Sequence, residues 1–201
     1  MATTRMMSTL MGAALLGTVA MSGCGGPANH HVALVGDSIT SLATAALHSR
    51  LDPTYQVDVM GKFGARTDQT MNEVNVIAST KPAQAVINLG TNDVLQRDGA
   101  DQSIAILEEI VKLFASADCI HLVTINEGLT QGGETRTPEA QALNERIRQL
   151  ADRTDHVDII DWNRIVVDHG GPAAVTTDSV HPNDAGQALL VDAYASALAD
   201  C

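Results

Sequence analysis

Ser38, His181 and Asp178 are the residues of this 201-residue chain whose types and spacing suit nucleophilic chemistry. Ser38 stands in GDSI (residues 36–39), between the small apolar residues 32–35 and an alanine-rich segment. A serine hydroxyl is a weak nucleophile and attacks only when a base takes its proton. His181, in DSVH (residues 178–181), is a base of the right kind. Asp178, three residues earlier, can accept a hydrogen bond from the other imidazole nitrogen and so orient the ring. Attack on a carbonyl carbon puts negative charge on its oxygen, and donors must already point there. The candidates are the Ser38 N–H at a helix start, the N–H of Gly64 in GKFGAR (residues 61–66), and the side-chain amide of Asn92 in GTND (residues 90–93). Gly64 lacks a side chain that would block close approach, and Gly61 is the alternative in the same segment. Each stretch also has a plain structural reading. Gly-Asp-Ser makes a turn and helix cap, GTND a turn, GKFG a flexible loop, and DSVHPND a lead into the last helix capped by Asn183 or Asp184.

Acyl chemistry needs these tips at one end of one scaffold, and the order of elements provides it. Residues 31–35, 55–60, 83–89, 119–125 and 157–160 read as strands, the third (AQAVINL) apolar nearly throughout, as in a strand covered on both faces. Residues 38–51, 67–79, 101–117, 137–152 and 183–200 read as helices. In 101–117, Leu107, Ile110, Val111 and Phe114 share a face that excludes Glu108, Glu109 and Lys112. Residues 127–136 and 163–182 read as irregular. Alternating strands and helices imply a parallel sheet with helices on both faces, where ligands bind beyond the carboxyl ends of the strands. GDSI, GKFGAR and GTND directly follow the first three strands, and DSVH follows the fifth across a loop.

Composition narrows the partners. A net charge of −12 repels phosphate backbones, and 2% aromatic residues offer few stacking platforms, so a nucleic-acid partner is not expected. At the N-terminus Arg5 is the only Lys, Arg, Asp or Glu before Asp37, and the apolar stretch 10–21 is short for a membrane span. This is the shape of an export signal. MSGC (residues 21–24) resembles the lipobox of bacterial lipoproteins, which implies cleavage before Cys24 and its lipidation. Residues 1–23 are then a signal peptide, 24–30 a lipidated tether and 31–201 the folded domain, anchored on the extracytoplasmic face of the cell membrane. An ordinary signal peptide cut nearby, with Cys24 incidental, is the alternative.

Taken in order, GDSI, FGAR, GTND and DSVH make the sequence resemble the SGNH hydrolases, the GDSL-type esterases and lipases, from Val32 to Leu198. INLGTND and DSVHPNDAG carry the likeness most specifically, GKFGAR most loosely, and Ile39 stands where the family often has leucine. The resemblance implies a flavodoxin-like three-layer α/β/α fold with a five-stranded parallel sheet. It implies a Ser38–His181–Asp178 triad, an oxyanion hole from Ser38, Gly64 and Asn92, no metal or cofactor, and a small or short-acyl ester as substrate for a monomeric enzyme. IDWN (residues 160–163) together with DSVHPNDAG also resembles the SGNH domains of cell-envelope O-acyltransferases, so a sugar hydroxyl is an alternative acceptor. A catalytically idle binding module is a third reading, against which stands the presence of every polar catalytic group.

Other residues read as structural. His30 and His31 lack a third metal ligand nearby and read as solvated. His121 reads as a packed strand residue, His169 as a surface loop residue and Trp162 as packing beside the site. Cys119 and Cys201 both fall at the end of the sheet away from Ser38. Whether their Cα atoms approach within about 7 Å depends on a lateral offset that the sequence leaves open.

Overall fold

The structure, a computed structural model, describes Met1 and residues 30–201. Cys24 and, but for Met1 and His30, the segment assigned to export and tethering lie outside the described residues. Five parallel strands form the sheet: β1 (His31–Gly36), β2 (Gln56–Gly61), β3 (Gln84–Asn88), β4 (Cys119–Val123) and a last strand, Val157–Ile160, in the order β2-β1-β3-β4 with the last strand outside β4. Alternate residues leave the pleat on opposite faces. Ala33, Val35, Ala85, Ile87, Ile120 and Leu122 meet one helical layer, and Val32, Leu34, Val86, Val123 and Ile160 meet the other. Both sets are buried, which is why these strands read as continuous apolar runs.

The helices follow from local signals. α1 (Ser38–Leu51) ends at Asp52-Pro53: Asp52 keeps helical backbone angles, but Pro53 has no N–H to continue the helix. α2 (Met71–Ala78) is preceded by a 3₁₀ turn, Thr67–Thr70, so the helix expected over 67–79 is in two parts. A short α3 (Thr91–Gln96) follows β3, where GTND had a turn as its plain structural reading; it starts from Gly90 at φ 116°. α4 (Ala100–Leu113) buries Ile104, Leu107, Ile110 and Val111 on one face, with Phe114 buried just past its end. The long α5 (Thr137–Asp152) opens with proline in its first turn, where a missing N–H costs nothing.

The two stretches read as irregular contain structure. In 127–136 a small hairpin pairs β5 (Thr130–Gln131) with β6 (Glu134–Thr135). Its turn is Gly132-Gly133, at φ 61° and 82°. A two-residue hairpin turn wants positive φ at both centres, and glycine adopts it freely. The fifth sheet strand is thus β7 (Val157–Ile160) in chain order. In 163–182 lie α6 (Trp162–Asp168) and α7 (Pro172–Val175). They are too short for a helical period to show in sequence. α8 (Asp184–Asp200) closes the chain, capped by Asn183, whose side chain accepts from the Gly186 N–H at 3.0 Å. α1 and α8, with α6 and α7, cover one face, and α2, α4 and α5 cover the other.

Cys119 starts β4 and Cys201 follows α8, so both lie at the amino-terminal end of the sheet. They form a disulfide, with Cα atoms 6.2 Å apart and a sequence separation of 82. A loop of that length implies roughly 4 kcal/mol of stabilisation from restricting the unfolded chain. Thermal unfolding with and without reductant checks this. The reduced protein is expected to melt several degrees lower, and unchanged melting would mean the bond contributes nothing.

Candidate active site

β1 is flanked by β2 on one side and β3 on the other, so the chain changes direction across the sheet at β1 and β3. A crevice opens beyond the carboxyl ends of strands at such a point. Ser38 follows β1 there, and Asn92 follows β3.

Gly36 ends β1 because nothing larger fits: a Cβ on it would lie 1.9 Å from Thr40 Oγ1. Asp37, and not Ser38, caps α1, its Oδ1 accepting from the Ile39 N–H at 2.9 Å. The Ser38 hydroxyl is therefore not spent on the cap. Ser38 Oγ lies 2.9 Å from His181 Nε2. On the far side of the ring, Asp178 Oδ2 lies 2.7 Å from His181 Nδ1. The other oxygen, Oδ1, accepts from the N–H groups of Val180 at 3.0 Å and His181 at 2.7 Å. One carboxylate thus both shapes the turn and orients the imidazole. Burial works against its charge, but the His181 and Val180 N–H bonds and the imidazole outweigh that, and Asp178 ionises below the ordinary carboxylate value. An ionised carboxylate only accepts. The Nδ1 proton is therefore fixed toward Asp178, and Nε2 presents its lone pair to the Ser38 O–H.

The turn carrying His181 is held from outside. Ser179 has a left-handed backbone, φ 69°, which costs a non-glycine residue free energy unless its neighbours impose it. Asn126, just past β4, donates from Nδ2 to the Ser179 carbonyl at 2.8 Å. Thr130, in the hairpin, donates its N–H to Ser179 Oγ at 3.0 Å. The Thr177 N–H reaches the His181 carbonyl at 2.9 Å and closes the loop.

Asn92 lies in the first turn of α3, 9% exposed, and its Nδ2 donates to Asp37 Oδ2 at 3.1 Å. Its neighbour Asp93 is 2% exposed and accepts from the Thr67 N–H at 3.0 Å and the Thr67 hydroxyl at 2.7 Å. Those two bonds pin the segment that follows β2 to the segment that follows β3. Gly64 lies in that first segment, exposed, at φ 67°, in a turn where the Ala65 N–H meets the Lys62 carbonyl at 3.3 Å. Gln96 Nε2 also donates to the Gly64 carbonyl at 3.3 Å. At Gly61 a Cβ would stand 2.4 Å from the Ser41 nitrogen, so its glycine lets β2 approach α1.

Asp37 is completely buried. Burial pushes its pKa up to about 6, against the opposing pull of the Ile39 N–H, the His181 charge and the Asn92 amide. A rise of that size corresponds to roughly 3 kcal/mol. The sign is unfavourable: folding is most stable with Asp37 protonated, and the cost grows as pH rises from the unfolded carboxylate value through about 6. Beneath it, the Tyr194 phenol faces Thr40 and Asn88 and is held well above its ordinary pKa, chiefly by burial and further by the Asp37 charge.

The remaining singled-out residues fall away from this site. His31 is not solvated as the sequence suggested; its Nε2 lies 2.8 Å from Asp58 Oδ2 on the adjacent strand β2. His121 is buried in β4, and burial lowers its pKa. His169 is exposed, its Nδ1 donating to the Ile165 carbonyl at 2.8 Å. Trp162, the first residue of α6, is 2% exposed and packs into the core. A cavity of about 630 Å³ lies between β7 and α8, lined by His121, Asp158 and the Cys119–Cys201 pair, and none of the triad lines it. Among the described residues no group of three or more His, Cys, Asp or Glu side chains is placed to hold a metal. Asp37, Asp93, Asn126 and Thr130 have roles here that their positions in the sequence do not assign. The two aspartates stand inside the quoted motifs, whereas Asn126 and Thr130 carry no signal of their own.

Residues 34–189 match the GDSL-like Lipase/Acylhydrolase family. None of the curated proteins matches the chain. Among solved structures, it is similar to a GDSL-like lipase from Bacteroides thetaiotaomicron, at 21% identity and a TM-score of 0.72 over 86% of this chain and 89% of that one. An acetylxylan esterase from Geobacillus stearothermophilus matches at 20% identity and a TM-score of 0.66, over 84% and 94%. The C-terminal catalytic domain of a Streptococcus pneumoniae peptidoglycan O-acetyltransferase A, solved with a methylsulfonyl adduct, matches at 27% identity and a TM-score of 0.66, over 85% and 93%.

Proposed function

The chain belongs to the GDSL-like lipase/acylhydrolase family of carboxylic ester hydrolases, and from that premise we propose that it cleaves small or short-acyl esters through an acyl-enzyme on Ser38. The observation that carries this reading is the hydrogen-bonded line from Ser38 Oγ through His181 to Asp178, at 2.9 and 2.7 Å. His181 Nε2 takes the Ser38 proton as Oγ attacks the ester carbonyl. Asp178 keeps the ring in the required tautomer and stabilises the imidazolium. The Ser38 and Gly64 N–H groups and the Asn92 amide receive the negative oxygen. The imidazolium then protonates the departing alkoxide, leaving an acyl-serine. Water, deprotonated by the same nitrogen, releases the acid and restores Ser38. The reading of a small substrate is supported by an open rim without a covering lid among the described residues: Phe63 and Gly64 are exposed, and the Asp178 side chain is half exposed.

A second reading keeps the acyl-enzyme and replaces water with a sugar hydroxyl. Two observations favour it: the 27% identity to the peptidoglycan O-acetyltransferase domain and the likeness of the segments holding Trp162 and His181 to envelope acyltransferases. For place of action, the MSGC segment supports a lipoprotein anchored through Cys24 on the outer face of the cell membrane. Palmitate incorporation in a bacterial host is expected for the natural chain and absent for Cys24→Ala; equal labelling of both would remove the anchor.

A serine-directed fluorophosphonate is expected to label the protein and not Ser38→Ala, whose fold stays intact because Ser38 sits at a loop–helix junction. Labelling of both would take Ser38 out of the mechanism, and labelling of neither would favour an idle module. Nitrophenyl esters from two to sixteen carbons are expected to show kcat/KM highest for the shortest acyl groups. Adding a sugar alcohol acceptor separates hydrolase from transferase: an acylated acceptor, formed at the expense of free acid, identifies the transferase.

A further inference from the structure

We propose that Asp37 is a positioning residue for Asn92, its ionised carboxylate holding the Asn92 amide so that the second N–H faces the carbonyl oxygen of the substrate. The inference rests on the reading of Ser38 as nucleophile and Asn92 as an oxyanion donor.

The geometry is that of a clamp. Asp37 uses one oxygen on the Ile39 N–H at 2.9 Å and the other on Asn92 Nδ2 at 3.1 Å. An asparagine amide can turn either its oxygen or its nitrogen toward a neighbour, and a carboxylate, which only accepts, selects the nitrogen. With one Nδ2 hydrogen committed to Asp37, the other is left in a fixed direction. The two residues are 55 apart in sequence, so the bond also ties the segment after β1 to the segment after β3.

A helix cap alone does not account for Asp37. Asparagine or serine caps a helix about as well without burying a charge. The charged groups that face Asp37 are His181, from the loop before α8, and Asp93, from α3. Tyr194 faces it from α8 as a neutral phenol. Asp93 repels the charge, and the imidazole attracts it only when protonated. A buried carboxylate kept under those conditions needs a use. Its field is not a simple burden on the transition state, because the oxyanion and the His181 imidazolium form in one step. The Asp37 charge opposes the first and favours the second, which leaves orientation of Asn92 as its distinctive contribution. Protonation removes the symmetric acceptor: one oxygen becomes a hydroxyl that competes with the amide for direction.

Two measurements test this. In the active enzyme both His181 and Asp37 must lose a proton, so log kcat for a short nitrophenyl ester is expected to rise with a limiting slope of two at the acid end. Asp37→Asn is expected to leave a slope of one, with plateau kcat lowered roughly tenfold to a hundredfold and KM within about twofold. Asp37→Ser serves as a second variant if the first fails to fold. A wild-type slope of one, or a plateau kcat unchanged in a folded variant, would overturn the proposal. The second measurement does not depend on activity. In Ser38→Ala protein, NMR is expected to show the Asn92 side-chain amide shifting with the same midpoint as the Asp37 carboxyl carbon, near pH 6. An amide that ignores the carboxyl titration would refute the clamp even if ester hydrolysis is established, and one that follows it would support the Asp37–Asn92 bond independently of the hydrolysis assay.

Discussion

The bond from Ser38 to His181 spans 143 residues of sequence in 2.9 Å. The order of elements between them makes that possible. β1 lies inside the sheet, so its carboxyl end is flanked by β2 and β3 and can be lined from both sides. The chain then travels outward through β4 to β7 and must come back to reach Ser38. It returns through α6 and α7, and α8 packs against α1 on one face of the sheet. α1 starts at Ser38, and α8 starts three residues after His181. Apolar packing of two helices, through Ala43, Leu47, Leu190 and Tyr194, therefore sets the distance between nucleophile and base.

Much of this was legible in the sequence because its signals are local. GDSI, GTND and DSVH each join a strand or loop to a helix within four residues, and the strands they follow are apolar on both faces. The five strands, the long helices and the pairing of Asp178 with His181 across a turn could be read that way. What could not be read depends on partners far apart in the chain. Asp93 looks like a turn residue until Thr67 is placed beside it. Asn126 looks like loop until it meets the Ser179 carbonyl. The Gly-Gly hairpin turn is a local signal, but strands of two residues have no alternation to announce them. α6 and α7 are hidden for the same reason of length.

Polar burial is unequal along the sheet. Asp37, Thr40, Asn88, Asn92, Asp93 and Tyr194 lie buried toward the carboxyl ends of β1 and β3, where acyl chemistry is proposed. Each such group must be paired or it costs free energy, and a carboxylate costs most. Asp37 bears that cost at neutral pH, where burial works against its charge. Among the described residues, the amino-terminal end of the sheet buries His121 but no carboxylate like Asp37, and it holds the Cys119–Cys201 cross-link. A disulfide acts on the unfolded chain, so it stabilises the whole domain wherever it sits. Placed at the end remote from Ser38, it offsets the cost of the polar end without touching the positions of the groups there. The stabilising cross-link and the costly buried carboxylate therefore lie at opposite ends of one domain.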